Sequence, residues 1–582
     1  MISEFLDRKY VLDETKSQRD YLIVLQRAIL AKDPKALAAI KREGITLKQV
    51  GQVIAALDHA LKSAEKDDKH PQGSAYIPSD PITCGLQAGM TEIAVEKNLV
   101  EKAAPATGAG GTRGGPVAKM AFGKKGATGK KKAKDTSATL KLVPRKKRRS
   151  APPSAALGMA KPFVEGEDPL YALDGFKAKF GGLFSERRKF NDNPAKTAKS
   201  SKPLTLFLFG DWGTGLPLAK EVTNRIAEQL RAMDGSRQPH VIHLGDVYYV
   251  GEPGEYASRM LPQWPVTGDL LKSVGCWSLN GNHDMYSGGG GYFDTLLRDK
   301  VMLRWHGDAD KQPSSFFLIE DDNWQVFGLD TSWNLPSLSD ALFGGPTLKD
   351  YGGQNGILTK SQVTWMARER KRAPGKGCIL LTHHQPCSSR TTEDQHADEA
   401  VKLLKAAGVY KGIDAWFWGH EHRGVVFKPK TERKTARLKD APDFCVCLGH
   451  GGVPVTQKNF EADKTIKDVL WQEDRLDETA PMYEGVRVVP FGFGRIDASP
   501  GEFRFQVFDH AGGKPRFDCV VSRTNPLIVT VPSPHGVPGI KMAAAKRATK
   551  AAKKAPARKA AKKTAKPVAK KATKKIAKKN RR

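Results

Sequence analysis

Residues 204–213 read Leu-Thr-Leu-Phe-Leu-Phe-Gly-Asp-Trp-Gly. A run of apolar β-formers enters a Gly-Asp turn, the pattern of a buried strand that ends in a loop carrying a carboxylate. The pattern recurs downstream. Residues 240–244 lead into Gly245-Asp246-Val247-Tyr248-Tyr249, and 276–279 into Gly281-Asn282-His283-Asp284. Residues 378–381 lead into Thr382-His383-His384, and 415–418 into Gly419-His420-Glu421-His422. Residues 324–329 make a further apolar run, and helix-like stretches separate these runs. Such alternation predicts an α/β domain, and ligands of open sheets gather at the strand C-termini.

A single Gly-Asp after a strand usually marks only a turn. Five polar strand ends in one domain call for another account. Carboxylate, phenol, carboxamide and imidazole form a mixed oxygen and nitrogen donor set, suited to Fe, Zn or Mn and not to thiolate-bound metals. Two cations about 3.5–4 Å apart, bridged by one carboxylate, would clamp a phosphate.

In this order the five blocks resemble the calcineurin-like metallophosphoesterase superfamily, and in detail its purple acid phosphatase branch. Most of the superfamily has Asp-x-His in the first block, whereas here Asp211 is followed by Gly213. The purple acid phosphatases share that loss and supply a tyrosine three residues after the second Asp, the position of Tyr249. The resemblance implies a sandwich of two central β-sheets flanked by helices. It implies one metal, Fe(III), on Asp211, Asp246, Tyr249 and His422. A divalent ion (Fe, Zn or Mn) would lie on Asp246, Asn282, His383 and His420, with Asp246 as the bridge. His383 is chosen as the first polar ring past the strand, with His384 as the alternative. The implied activity is phosphomonoester hydrolysis by a metal-activated hydroxide. His283 would contact the phosphate or leaving group, and Asp284 would orient its ring. His396 is a second candidate acid. Phosphodiesters or nucleotides are the alternative substrates, and a nucleic-acid-associated protein with a vestigial enzyme domain is the alternative of another class.

The resemblance covers residues 202–522. Residues 1–70 read as a helical segment, because Leu22, Leu25 and Ile29, then Val50, Val53, Ile54, Leu57 and Leu61, recur at helical steps. Gly44 and Thr46 mark a break, with Thr46 as an N-cap. Residues 71–201 have linker composition and are expected to be mostly disordered, with a short ordered piece near 82–100. Residues 523–582 form a Lys/Ala-rich tail. The net charge of +32 is concentrated: residues 541–582 hold nineteen Lys/Arg and no acid, and residues 119–149 thirteen with one acid, Asp135. The rest of the chain carries +1. A near-neutral body with two basic tracts points to nucleic acid or another polyanion as a partner of the tracts. Seven scattered cysteines suggest no disulfide framework, and neither a signal-like start nor a membrane span is read. The expectation is a cytoplasmic protein.

Other polar groups read as structural. His240 and His243 belong to a strand, Cys445 and Cys447 share a strand face, and His450 lies in a glycine turn. The four glycines 288–291 suggest a flexible loop beside the site.

Overall fold

The structure is a computed structural model. It describes residues 8–66, 81–96, 185–194, 197–298, 314–343, 355–390, 396–456, 465–476, 478–483, 486–523, 528–531 and 540–541. The basic tract at 119–149 and the tail beyond 541 lie outside the described residues, so the polyanion reading is not addressed by the fold.

The chain opens with α1 (Arg8–Leu30), α2 (Pro34–Glu43) and α3 (Leu47–Lys66). The expected break is present. Gly44 ends α2 in the left-handed region at φ 63°, where a side chain would be strained. Thr46 then caps α3: its hydroxyl accepts from Gln49 N at 3.2 Å, and Gln49 Oε1 accepts from Thr46 N at 2.8 Å. A fourth helix, α4 (Pro81–Glu96), falls where a short ordered piece was expected.

The body holds two eight-stranded sheets. The strands are β1 (Ala198–Lys199), β2 (Leu204–Phe209), β3 (Gln238–His243), β4 (Gly275–Ser278), β5 (Phe317–Glu320) and β6 (Trp324–Gly328). There follow β7 (Gly377–Leu381), β8 (Ala415–Trp418), β9 (Gly424–Phe427), β10 (Phe444–Leu448), β11 (Val469–Gln472) and the hairpin β12 (Met482–Tyr483) with β13 (Val486–Arg487). The last are β14 (Gly492–Ser499), β15 (Glu502–Asp509), β16 (Phe517–Ser522), β17 (Ile528–Val531) and β18 (Ile540–Lys541). One sheet runs β1-β5-β6-β7-β8-β10-β9-β11, the other β18-β17-β16-β15-β14-β2-β3-β4. The sheets therefore extend past the expected bounds of 202–522 at both ends, through β1 pairing with β5 and β17 with β16.

Strand alternation builds the layers. Leu206, Leu208 and Ile242 meet Ile379, Leu381, Phe417 and Val446 in the core between the sheets. Phe207, Phe209 and Val241 point the other way, into a core shared with α5 (Pro217–Arg231) and the N-terminal helices. Cys378, Leu380, Trp416 and Trp418 face outward from the other sheet, against Val363 and Met366 of α7 (Lys360–Arg372) and Ala400 and Leu404 of α8 (Asp398–Ala406). A short α6 (Asn282–Tyr286) follows β4. This is the expected two-sheet sandwich flanked by helices. Among the described residues no helix is long and apolar enough to cross a membrane.

Candidate metal centre

β2, β3 and β4 are parallel, as are β7 and β8, so the turns after them emerge on one side of each sheet. Backbone hydrogen bonds stitch these turns together. Asp211 N donates to Gly245 C=O at 3.0 Å, and Gly419 N to His383 C=O at 3.1 Å. Approach is tight enough to demand glycine at 281, where a Cβ would lie 2.0 Å from Asp246 Oδ1. Position 213 is equally closed: it bridges Val247, and a Cβ there would come within 2.7 Å of that side chain. A histidine at 213 does not fit, which gives the missing first-block imidazole a steric reason.

Among the described residues five non-glycines have positive φ, and four are Asp211 (54°), Asp246 (74°), His420 (70°) and His422 (51°). Each such backbone costs about 1–3 kcal/mol and persists where its surroundings impose it, commonly at functional sites. All four are proposed ligands.

Two donor groups converge. Asp211, Asp246 and His422 each place a ligand atom within 4.8 Å of the others, and so do His383, His384 and His420. Asp246 joins the groups: its Oδ2 lies 3.4 Å from His383 Nε2 and accepts from the Tyr248 hydroxyl at 3.2 Å. That hydroxyl is also 3.1 Å from Asp211 Oδ1 and 2.9 Å from His422 Nε2. Asn282 Oδ1 sits 3.0 Å from His383 Nε2 and 2.8 Å from His420 Nδ1. Its Nδ2 donates to the Tyr286 hydroxyl at 2.8 Å, which turns the oxygen toward the imidazoles. His383 Nδ1 is tied to Leu244 C=O at 2.9 Å, aiming Nε2 at Asn282 and Asp246. Tyr286 and Leu244 position ligands but belong to no motif, so sequence reading missed them.

Three expectations need correction. The Tyr249 hydroxyl accepts from Gln87 Nε2 of α4 at 2.8 Å, and it is Tyr248 whose hydroxyl lies between the carboxylates. Asp284 does not orient His283. Its Oδ2 accepts from Gly281 N at 2.7 Å and Asp246 N at 3.0 Å, and its Oδ1 accepts from Val247 N at 3.0 Å and the Tyr256 hydroxyl at 2.6 Å. It clasps the second and third loops together. His283 is oriented instead by the Tyr249 carbonyl, which accepts from Nδ1 at 2.6 Å, leaving Nε2 for another contact. The glycines 288–291 are packed, not loose: all are buried, and Gly291 begins a helical turn against Gly251 and Tyr256.

The remaining groups have the following surroundings. His240 Nδ1 accepts from Trp277 Nε1 at 3.0 Å, and His243 Nδ1 lies 3.2 Å from Ser278 Oγ. His450 is wedged against Gly424 and Gly492. His396, the second acid candidate, has its backbone N–H on Asn355 Oδ1 at 3.0 Å. Cys445 and Cys447 are buried in β10.

The electrostatics suit cations. Burial works against ionisation of Asp246, yet His383, His283 and His420 hold its carboxyl well below the usual range. Burial likewise disfavours a protonated His383, but Asp246 outweighs it and raises the ring to about 9. The opposite shifts of these two groups mark a place of negative potential. Burial pushes His420 and His283 below the usual imidazole range, which leaves them neutral. Burial, with Asp211 and Asp246, pushes the Tyr248 hydroxyl well above the usual phenol range. Burial, with Asp246, raises Asp284 to about 7. Carboxylate, carboxamide and imidazole donors thus fit two hard or borderline metal ions.

No curated protein sequence matches the chain. Among solved structures it is similar to GAP50, the anchor in the inner membrane complex of Plasmodium (12% identity, 55% of this chain and 88% of that one, TM-score 0.36). It is also similar to purple acid phosphatase PPD1 from yellow lupin, Lupinus luteus, seeds (13% identity, 56% and 55%, TM-score 0.35). A third is a dimetal phosphatase from Danio rerio (10% identity, 56% and 100%, TM-score 0.32). The family model of the calcineurin-like phosphoesterases matches residues 204–424, a span that begins at β2 and contains all five blocks. With the sandwich fold and the converged donors, the match identifies residues 204–424 as a calcineurin-like phosphoesterase domain, which supports a metal-dependent hydrolase of phosphoesters.

Proposed function

We propose that the centre is a two-metal phosphomonoesterase of the acid phosphatase type. One observation carries the reading: Asp246 stands between an Asp211–His422 group and an Asn282–His383–His420 group, with a tyrosine hydroxyl on the carboxylate side. In this reading Asp211, Asp246, Tyr248 and His422 would hold a trivalent iron, and Asp246, Asn282, His383 and His420 a divalent Fe, Zn or Mn ion. Such a pair supplies Lewis-acid stabilisation of charge on phosphoryl oxygens. The chain's own residues do the rest. Asp246 presents Oδ2 to both groups, and the turned amide of Asn282 presents its carbonyl oxygen. His283, with Nδ1–H committed to a carbonyl, would contact the substrate phosphate or protonate the leaving group through Nε2 once that nitrogen carries a proton as well. The basic tracts, by composition alone, support a tether to nucleic acid or another polyanion.

The test compares an aryl phosphate monoester with the corresponding diester, using metal-loaded full-length protein. Faster hydrolysis of the monoester is expected, whereas preference for the diester would replace this reading with a phosphodiesterase.

A spectroscopic prediction checks the iron and the tyrosine together. Iron-loaded protein should absorb in the visible through phenolate-to-Fe(III) charge transfer. Tyr248→Phe should abolish the band, and Tyr249→Phe should leave it in place. The reverse pattern would return the ligand to Tyr249, and an active, colourless, Zn- or Mn-containing protein would remove the iron.

A further inference from the structure

One imidazole at the centre belongs to neither proposed ligand group. His384 is fully buried, and one of its ring nitrogens lies within 4.8 Å of ring nitrogens of His383 and His420. Its ring centroid is 5.0 Å from that of His383 and 4.7 Å from that of His420. Neighbours on a strand would face opposite sides. β7, however, ends at Leu381, and the pair lies in the turn beyond it, where that rule lapses.

The surroundings of the ring decide which nitrogen carries the proton. Nδ1 lies 2.9 Å from Thr331 Oγ1 and 3.5 Å from Ser332 Oγ. The Ser332 hydroxyl already donates to Asn280 C=O at 3.1 Å, so toward the ring it offers only lone pairs. Thr331 Oγ1 also acts as an acceptor, taking the backbone N–H of His384 at 3.2 Å. Ser332 therefore favours a proton on Nδ1, and Thr331, whose hydroxyl can still donate or accept, accommodates it; that tautomer leaves the lone pair on Nε2. Nε2 is buried and has no hydrogen-bond partner among the described residues. A buried polar atom left in this way calls for an occupant, and a nitrogen lone pair beside two further imidazoles and a carboxamide oxygen is suited to a cation.

We propose that His384 Nε2 is a third imidazole ligand of the cation site formed by His383, His420 and Asn282, with Thr331 and Ser332 holding its Nδ1. The inference rests on the two-metal reading above and narrows it. A site with three imidazoles favours a borderline ion such as zinc or ferrous iron over manganese, which prefers oxygen donors.

The experiment uses the full-length protein titrated with zinc. Affinity is measured by competition with a chromophoric chelator, and the number of bound imidazoles by X-ray absorption. His384→Gln should weaken zinc at this site at least about tenfold and remove one imidazole from the metal's surroundings. Thr331→Val, which keeps the ring but removes a partner of its Nδ1, should weaken zinc in the same direction and by less. It carries the test if His384→Gln does not fold. Unchanged affinity and imidazole number in the folded variants would overturn the assignment. So would weaker inhibition by inorganic phosphate with zinc binding intact, which would make His384 a phosphate contact. Wild-type protein that binds no zinc, iron or manganese would instead bring down the two-metal reading, a distinguishable result.

Discussion

Replacing Asp246 by asparagine is expected to lower phosphoester turnover by about 10²–10³-fold or more, the scale on which loss of one preorganised electrostatic partner acts. The substitution keeps the size of the side chain and removes its charge. Oδ1 accepts from His283 N at 3.0 Å, and Oδ2 accepts from the Tyr248 hydroxyl at 3.2 Å and faces His383 Nε2 at 3.4 Å. An amide can satisfy one side of this arrangement and not both, because its NH₂ group cannot accept. The negative potential that attracts cations to both donor groups is lost as well. Metal content should therefore fall together with kcat, while the sandwich core, made by other residues, remains. Metal analysis and turnover on one preparation check this. Native metal content with native turnover would show that Asp246 is not the link between the sites.

The largest stability effect is expected at Asp284, and it comes from backbone rather than from catalysis. Its carboxylate is the acceptor for three backbone N–H groups, those of Asp246, Val247 and Gly281, and for the Tyr256 hydroxyl. All lie at a fully buried side chain. Asp284→Ala leaves the three N–H groups without that acceptor, and at about 1–3 kcal/mol for each buried unsatisfied group the loss should reach about 3 kcal/mol or more. Asp284→Asn retains one carbonyl oxygen and should lose less. Urea unfolding checks both: a lowered midpoint with an unchanged slope is expected. Wild-type stability in the alanine variant would restore a purely catalytic role for this residue.

These two aspartates illustrate how far a linear reading reaches. Asp246 announces itself, since a carboxylate directly after Gly at the end of an apolar strand has few other uses when four similar ends accompany it. Asp284 follows a histidine in the third block and invites the reading of a catalytic pair. Its actual partners are N–H groups of a loop 37 and 38 residues earlier, together with Gly281 and Tyr256. Only folding makes them neighbours. Tyr286, which turns the Asn282 amide, and Leu244, whose carbonyl aims His383, carry no motif because any residue supplies a carbonyl and many supply a hydroxyl.

The strands and the order of the five polar turns were legible because apolar runs and glycine-bounded turns are local properties. β2, β6 and β8 begin where the apolar runs begin, at Leu204, Trp324 and Ala415. The cap at Thr46 was legible for the same reason. Adjacent identical residues were not. Tyr248 and Tyr249 are equivalent in composition, and what separates them is a distant helix: Gln87 of α4 donates to the Tyr249 hydroxyl, while Asp211, Asp246 and His422 surround that of Tyr248. His383 and His384 are separated likewise, by Leu244 on one side and Thr331 on the other. The sequence by itself determined that this chain builds a two-sheet domain with a metal-binding chemistry at its strand ends. Which member of each pair faces that chemistry was decided by the tertiary structure, because the direction of a side chain in a turn is set by the groups that fold against it.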